Sequence, residues 1–135
     1  MEKKEMTLNE YQEKAMTTCL QSANNFSYMM LNLVGEVGEF SSKVAKSIRK
    51  GKAGIGIYEE DNDLIYSNHC TFDDAKESEN ELKKEAGDIL WQLSGLCHVM
   101  GWDLEDVAKM NLDKLSARKA AGTIDGNGDG IIRGK

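Results

Sequence analysis

Proline is absent from the 135 residues. Nothing therefore removes a backbone donor from a helix interior, and long helices are permitted. Cysteine is scarce. Cys19, Cys70 and Cys97 are odd in number and lack framework spacing, which excludes a disulfide scaffold and suits reduced thiols in a cytoplasm. A basic excess is missing as well. Seventeen Lys and Arg stand against 23 Asp and Glu, for a net charge of −6. That balance argues against a nucleic-acid polymer as partner, which needs a basic stripe to displace counterions. No apolar run approaches the ~18 residues of a membrane span. Met1-Glu2-Lys3-Lys4-Glu5 does not open a signal sequence. One soluble, cytoplasmic domain is expected, long enough for a core of its own.

What is present reads as an all-α, four-helix-bundle-like fold. Thr7-Leu8-Asn9-Glu10 is a capping box opening a first helix that fades near Asn24-Asn25. A second helix runs from about Phe26 to Lys50 and stops at Gly51. A second capping box, Ser78-Glu79-Asn80-Glu81, opens a third helix that ends at Met100-Gly101. Asp103 caps a fourth, with Asp106 in its first turn, ending by Gly122. A small non-helical insertion, about 51–77, separates the second and third helices. Its apolar stretches flank the turn-prone Glu59-Glu60-Asp61-Asn62-Asp63, the pattern of a small hairpin or of a mobile excursion. The expected division is a helical domain over 1–121 and a glycine-rich tail over 122–135.

Two acid pairs interrupt apolar ladders. Glu36 and Glu39 fall within the ladder Phe26, Met30, Leu33, Val37, Phe40, Val44, Ile48. Glu85 and Asp88 fall within Leu82, Ala86, Ile89, Leu93, Leu96, Met100. An i,i+3 spacing sets both members of a pair on one helix side, roughly 60° apart. Other pairs at this spacing, such as Glu2/Glu5 and Glu10/Glu13, read as solvated faces or helix starts. The selected pairs differ in position and in the glycine each contains, Gly38 and Gly87. An interior glycine costs a helix about 1 kcal/mol relative to alanine, and suggests close approach of backbone or ligand. A carboxylate facing a core is costly unless paired or metal-bound. Four all-oxygen donors suit magnesium, with manganese as substitute, and such ions take phosphate oxygens as co-ligands.

On the fourth helix Asn111, Lys114 and Arg118 share one side. They either grip phosphate oxygens or complement the helix dipole. Lys43, four residues after Glu39, reads as an ordinary ion-pair partner for it. Trp91 and Trp102 read as core or interface anchors.

Together these residues resemble the all-α nucleoside triphosphate pyrophosphohydrolases of the MazG type, whose signature is E-x-x-E on one helix and E-x-x-D on the next. Here it reads Gly35-Glu36-Val37-Gly38-Glu39 and Lys84-Glu85-Ala86-Gly87-Asp88-Ile89-Leu90-Trp91. The opening Thr7-Leu8-Asn9-Glu10-Tyr11-Gln12 and the closing segment from Asn111 to Arg118 are also similar to phage and bacterial members. The resemblance implies magnesium-dependent hydrolysis of an NTP or dNTP to a monophosphate and pyrophosphate. Glu36, Glu39, Glu85 and Asp88 would hold the metal. Lys114 and Arg118 would contact phosphates, and Asn111 would contact phosphate or sugar. It also implies a homodimer or homotetramer, Gln12 near a base pocket, and a tail acting as a flap near the nucleotide. Some members carry a further glutamate just before the first pair, where this chain has Gly35. Phosphoribosyl-ATP hydrolysis and a non-catalytic metal- or nucleotide-binding regulatory module are the alternatives.

Overall fold

The computed structural model describes the backbone of residues 4–50, 53–54, 57–60, 63–66, 71–72 and 75–122, with side chains over 4–50 and 79–122. Of the expected tail, 122–135, residues 123–135 lie outside them, as does Cys70. Among the described residues are helices α1 (Leu8–Met16), α2 (Phe26–Arg49), α3 (Ala75–Val99) and α4 (Leu104–Ala121), with a 3-10 turn at Gln21–Ala23. The fold class is all-α, as the sequence indicates. Strands β2 (Ile57–Glu60) and β3 (Asp63–Tyr66) form the hairpin expected in the insertion, paired from Ile57↔Tyr66 to Glu60↔Asp63. Strands β1 (Ala53–Gly54) and β4 (Thr71–Phe72) make a second antiparallel pair.

The chain divides into two compact units, residues 1–26 with 94–135, and residues 27–93. In the first unit, Thr7 caps α1 by accepting from the Glu10 amide at 3.1 Å. α1 ends sooner than its sequence pattern indicates, at Met16. The Thr17 and Thr18 hydroxyls donate to the Lys14 and Ala15 carbonyls there, offering the backbone an alternative to another helical turn. α3 closes with Gly101 at φ 75°. The Gly101 amide donates to the His98 carbonyl and the Trp102 amide to the Cys97 carbonyl, which is a Schellman cap.

α4 is capped differently from expectation. Asp103 occupies the N-cap position, but its side chain makes no capping bond. Two α1 residues do the work instead. Gln12 Oε1 accepts from the Leu104 amide and Asn9 Oδ1 from the Glu105 amide, both at 3.0 Å. Gln12 Nε2 donates to the Trp102 and Ser94 carbonyls at 3.0 and 3.3 Å. Gln12 is thus a buried structural junction, with all its bonds to backbone. The other buried residues of this unit include Ala15, Ala23, Ser94, Cys97 and Leu104.

The second unit holds most of α2 and the longer part of α3. α3 begins at Ala75, a turn before the capping box expected at Ser78. The apolar ladder of α2 is only half covered, with Val37 and Ile48 45% and 47% exposed, while its fully buried residue is Met29. Leu31 and Val34 are exposed further still.

Replacing Gln12 by leucine should therefore destabilise the protein by about 2–3 kcal/mol, because a buried amide donor and two carbonyls lose their partner. Asn9→Ala should cost about 1 kcal/mol, the ordinary value of a lost N-cap. Urea unfolding followed by circular dichroism measures both. Equal, near-zero losses would remove Gln12 from this role.

Candidate metal centre

Three acids meet where α2 and α3 pass each other within the second unit. Glu36, Glu39 and Glu85 each offer a carboxylate oxygen, and these oxygens lie within 4.8 Å of one another. Bonds of about 2.1 Å to magnesium place its ligand oxygens about 3–4 Å apart. Modest side-chain rotation closes the difference. Asp88 stands outside this oxygen triad, but it exerts the largest Coulombic effect on Glu36.

Burial is uneven, which corrects the picture of four acids facing a core. Glu85 is buried and Glu36 half-buried, while Glu39 and Asp88 are exposed. One side of the cluster therefore opens to solvent. Glu36 Oε2 and Glu85 Oε2 are shielded from water and have no hydrogen-bond partner among the described residues. Buried polar atoms of this kind normally find a partner in protein, water or an ion. Two acceptor-only oxygens fit a hard divalent cation.

Desolvation pushes the Glu36 carboxyl above the ordinary glutamate range. Repulsion from Asp88, Glu39 and Glu85 pushes it further, against a hydrogen bond with Asn32. The cluster is thus strained electrostatically without a cation.

Lys43 supplies the missing positive charge. Its Nζ lies 2.6 Å from Glu85 Oε1 and 3.6 Å from Glu81 Oε2. It crosses to α3 rather than pairing with Glu39 on its own helix. The hydrogen bond to Glu85 raises the Lys43 pKa. Sequence spacing favoured the local i,i+4 partner. The signal for the true arrangement was the i,i+4 acid pair Glu81/Glu85 on the facing helix.

Among the described residues, nothing in this chain packs closely against the glycines inside the acid motifs. A Cβ at Gly38 or Gly87 would meet nothing within 4 Å, and at Gly35 only Asn32 Oδ1 at 3.6 Å.

The three basic and amide residues singled out on α4 belong to the first unit. Asn111 and Lys114 line a cleft of about 780 Å3 with Trp102, Asp106, Val107 and Met110. Arg118, a turn further along, is half-buried. Trp102 is 49% exposed and so walls this cleft rather than filling a core. Asn111 is exposed.

Paired carboxylates on adjacent helices of an all-α chain form an oxygen-donor cluster that could hold a metal ion. Comparison with known proteins identifies the family. The model of the MazG nucleotide pyrophosphohydrolase domain matches residues 24–122. The chain is also similar to the Gene 37 protein of Mycobacterium phage L5, at 32% identity over 108 residues, 80% of this chain and 78% of that protein. No solved structure matches. The chain belongs to the MazG nucleotide pyrophosphohydrolase family.

Two outcomes follow for the metal-free protein. A native Glu36 that holds its proton more tightly than the unfolded one makes stability fall as pH rises from the ordinary glutamate range, about 4.5, through the raised native value. Glu36→Gln abolishes that slope and should raise the melting temperature at neutral pH, read by calorimetry in chelator. An unchanged pH profile would mean the cluster is not strained. Gly38→Ala and Gly87→Ala, with open space for the methyl, should each stabilise the helix by up to about 1 kcal/mol. A fall in melting temperature would show that the bare backbone is needed by something packed on it.

Proposed function

We propose that this protein hydrolyses nucleoside or deoxynucleoside triphosphates to the monophosphate and pyrophosphate, with magnesium held by Glu36, Glu39, Glu85 and Asp88. The carrying observation is the carboxylate triad with its two unpartnered buried oxygens, lying inside the matched family domain. Manganese serves as a substitute for the same hard oxygen donors. When bound, the metal lowers the pKa of water and offsets the triphosphate charge.

The chain's own residues do the rest. The exposed members, Glu39 and Asp88, face the side of the cluster from which a triphosphate arrives. Water adds across the α–β phosphoanhydride, and its proton passes to a carboxylate. With Gly35 in place of a further glutamate, water activation falls to a metal-bound carboxylate or to the metal alone. Asn111, Lys114 and Arg118 contact the substrate, the cations on phosphate and Asn111 on phosphate or sugar. Trp102, beside Asn111 and Lys114 in their cleft, offers a flat face suited to a base. Gln12 lines a cavity with Asn9, His98 and Trp102, its amide held in place by backbone bonds.

Apolar surface supports self-association. Leu31 and Val34 on α2 are 74% and 67% exposed, and Met110 and Leu112 on α4 are similarly bare. A homodimer or homotetramer covers such surface. No helix among the described residues is long and apolar enough to cross a membrane, and Cys19 and Cys97 are free thiols. Both fit a cytoplasmic role in nucleotide-pool control or housecleaning.

Incubation with magnesium and a panel of canonical and damaged NTPs and dNTPs, resolved by ion-exchange chromatography, should release pyrophosphate and monophosphate in equal amounts. Glu39→Gln should lower turnover on the order of a hundredfold or more, beyond the loss typical of an outer-shell residue, with an unchanged helical circular-dichroism spectrum. Release of single phosphate would mean a different scission. Silence with every nucleotide, from folded protein, would favour phosphoribosyl-ATP as substrate or a binding module without turnover.

A further inference from the structure

We propose that Lys43 is a resident counter-cation of the acid cluster, which moves from Glu85 to Glu81 when a divalent ion binds. The inference rests on the metal reading above and concerns how that site is loaded.

Lys43 sits between two carboxylates one helical turn apart. Nζ is 2.6 Å from Glu85 Oε1 and 3.6 Å from Glu81 Oε2. The two acids differ in kind. Glu85 is buried and shares the oxygen triad with Glu36 and Glu39. Glu81 is exposed, lies outside that triad, and already meets the Lys84 ammonium at 3.4 Å. Hydrogen bonding to Lys84 depresses the Glu81 pKa, with help from Lys43. Glu81 therefore stays anionic and ready to receive the ammonium.

Electrostatics gives the exchange its direction. Without metal, the ammonium is the strongest compensation that the buried Glu85 has. Its departure would leave an uncompensated buried carboxylate. With a divalent ion on Glu85, an ammonium held on the same carboxylate repels that ion at short range. The relief is a small movement. Lysine carries a compact charge on a flexible stem with rotatable donors, and the Lys43 side chain is 44% exposed. It can turn toward Glu81 without unpacking. An arginine locked in a bidentate fork would be a poorer switch.

Lys43 is thus a positioning residue with two consequences. It holds Glu85 in place while the site waits for metal, and it sets a threshold that the metal must exceed. Coupled equilibria of this kind lower apparent affinity by the population of the competent arrangement.

Manganese titration by calorimetry and by the loss of the free-ion paramagnetic signal tests this without any turnover. Wild-type protein should bind saturably. Lys43→Met should bind on the order of tenfold more tightly, the scale of outer-shell effects on metal affinity, and melt at lower temperature without metal. Glu81→Gln, at an exposed position that tolerates change, should bind severalfold more weakly because the second seat is lost. In the Lys43→Met background, Glu81→Gln should then have little effect, since the pair acts through one ammonium. Tighter binding in the first variant, weaker in the second and non-additivity in the double variant establish the exchange. Unchanged or weaker binding by Lys43→Met, or additive effects, would overturn it while leaving the metal site intact. Absence of manganese binding by the wild-type protein would instead remove the metal reading and this inference with it.

Discussion

Negative charge gathered between α2 and α3 is the constraint around which the second unit is arranged. Glu36, Glu39 and Glu85 converge from two helices with Asp88 acting on Glu36, and among the described residues Lys43 pairs with Glu85 of this set. Both ion pairs that join the two helices among the described side chains run through that lysine. Like charges brought together in a half-buried place destabilise the fold unless a cation is present. The apolar side chains around them cannot hide this cost, because the α2 ladder is itself only half covered. The site thus resists its own scaffold, as expected where function rather than stability selects the residues.

The first unit shows the opposite economy. Every polar bond of Gln12 is made, each to a backbone group. An N-terminal amide of α4, the loop after α3 and a carbonyl within α3 are all satisfied by one side chain. Asn9 completes the second α4 amide. Because the helix start is held from α1, Asp103 needs no capping bond and stays at the surface, in the lining of the cleft shared with Lys114. The same glutamine that matches the family's opening motif thus has a structural role of its own.

Much of this was legible in the residues. Thr7 as a cap, the hairpin in the insertion, Gly101 and Gly122 as helix stops, and the pairing of Glu36 and Glu39 with Glu85 follow from local chemistry and period. What escaped depends on distant neighbours. Gln12 lies 92 positions from Leu104, and nothing in its own segment marks it as a cap for another helix. Lys43 offered a local partner in Glu39, and only the tertiary approach of α3 presents Glu85 instead. Gly38 and Gly87 looked like close-approach glycines, yet space around both is open within this chain. Asp88 carried the motif without joining the triad, because a cluster of oxygens is fixed by side-chain reach and not by spacing alone.

The glycines and the bare apolar faces bear on the same question. A helix that gives up stability at Gly38 and also exposes Leu31 and Val34 on its surface is poorly built for a lone chain. Leu31, Val34 and Gly38 recur at three- and four-residue intervals, so they lie along one side of α2. A second copy set against that side would cover the leucine and valine, and the missing Cβ would let its backbone come near. The acid pair occupies the same turns of the same helix. Stiffening α2 by such a contact would also hold Glu36 and Glu39 in register for the metal, because side chains on a rigid element keep their geometry better than those on a mobile one. Assembly, metal binding and the tolerance of unfavourable charge are then linked. Each ligand or partner that prefers the folded arrangement adds stability by mass action, and offsets the cost of clustered carboxylates that the isolated chain leaves standing.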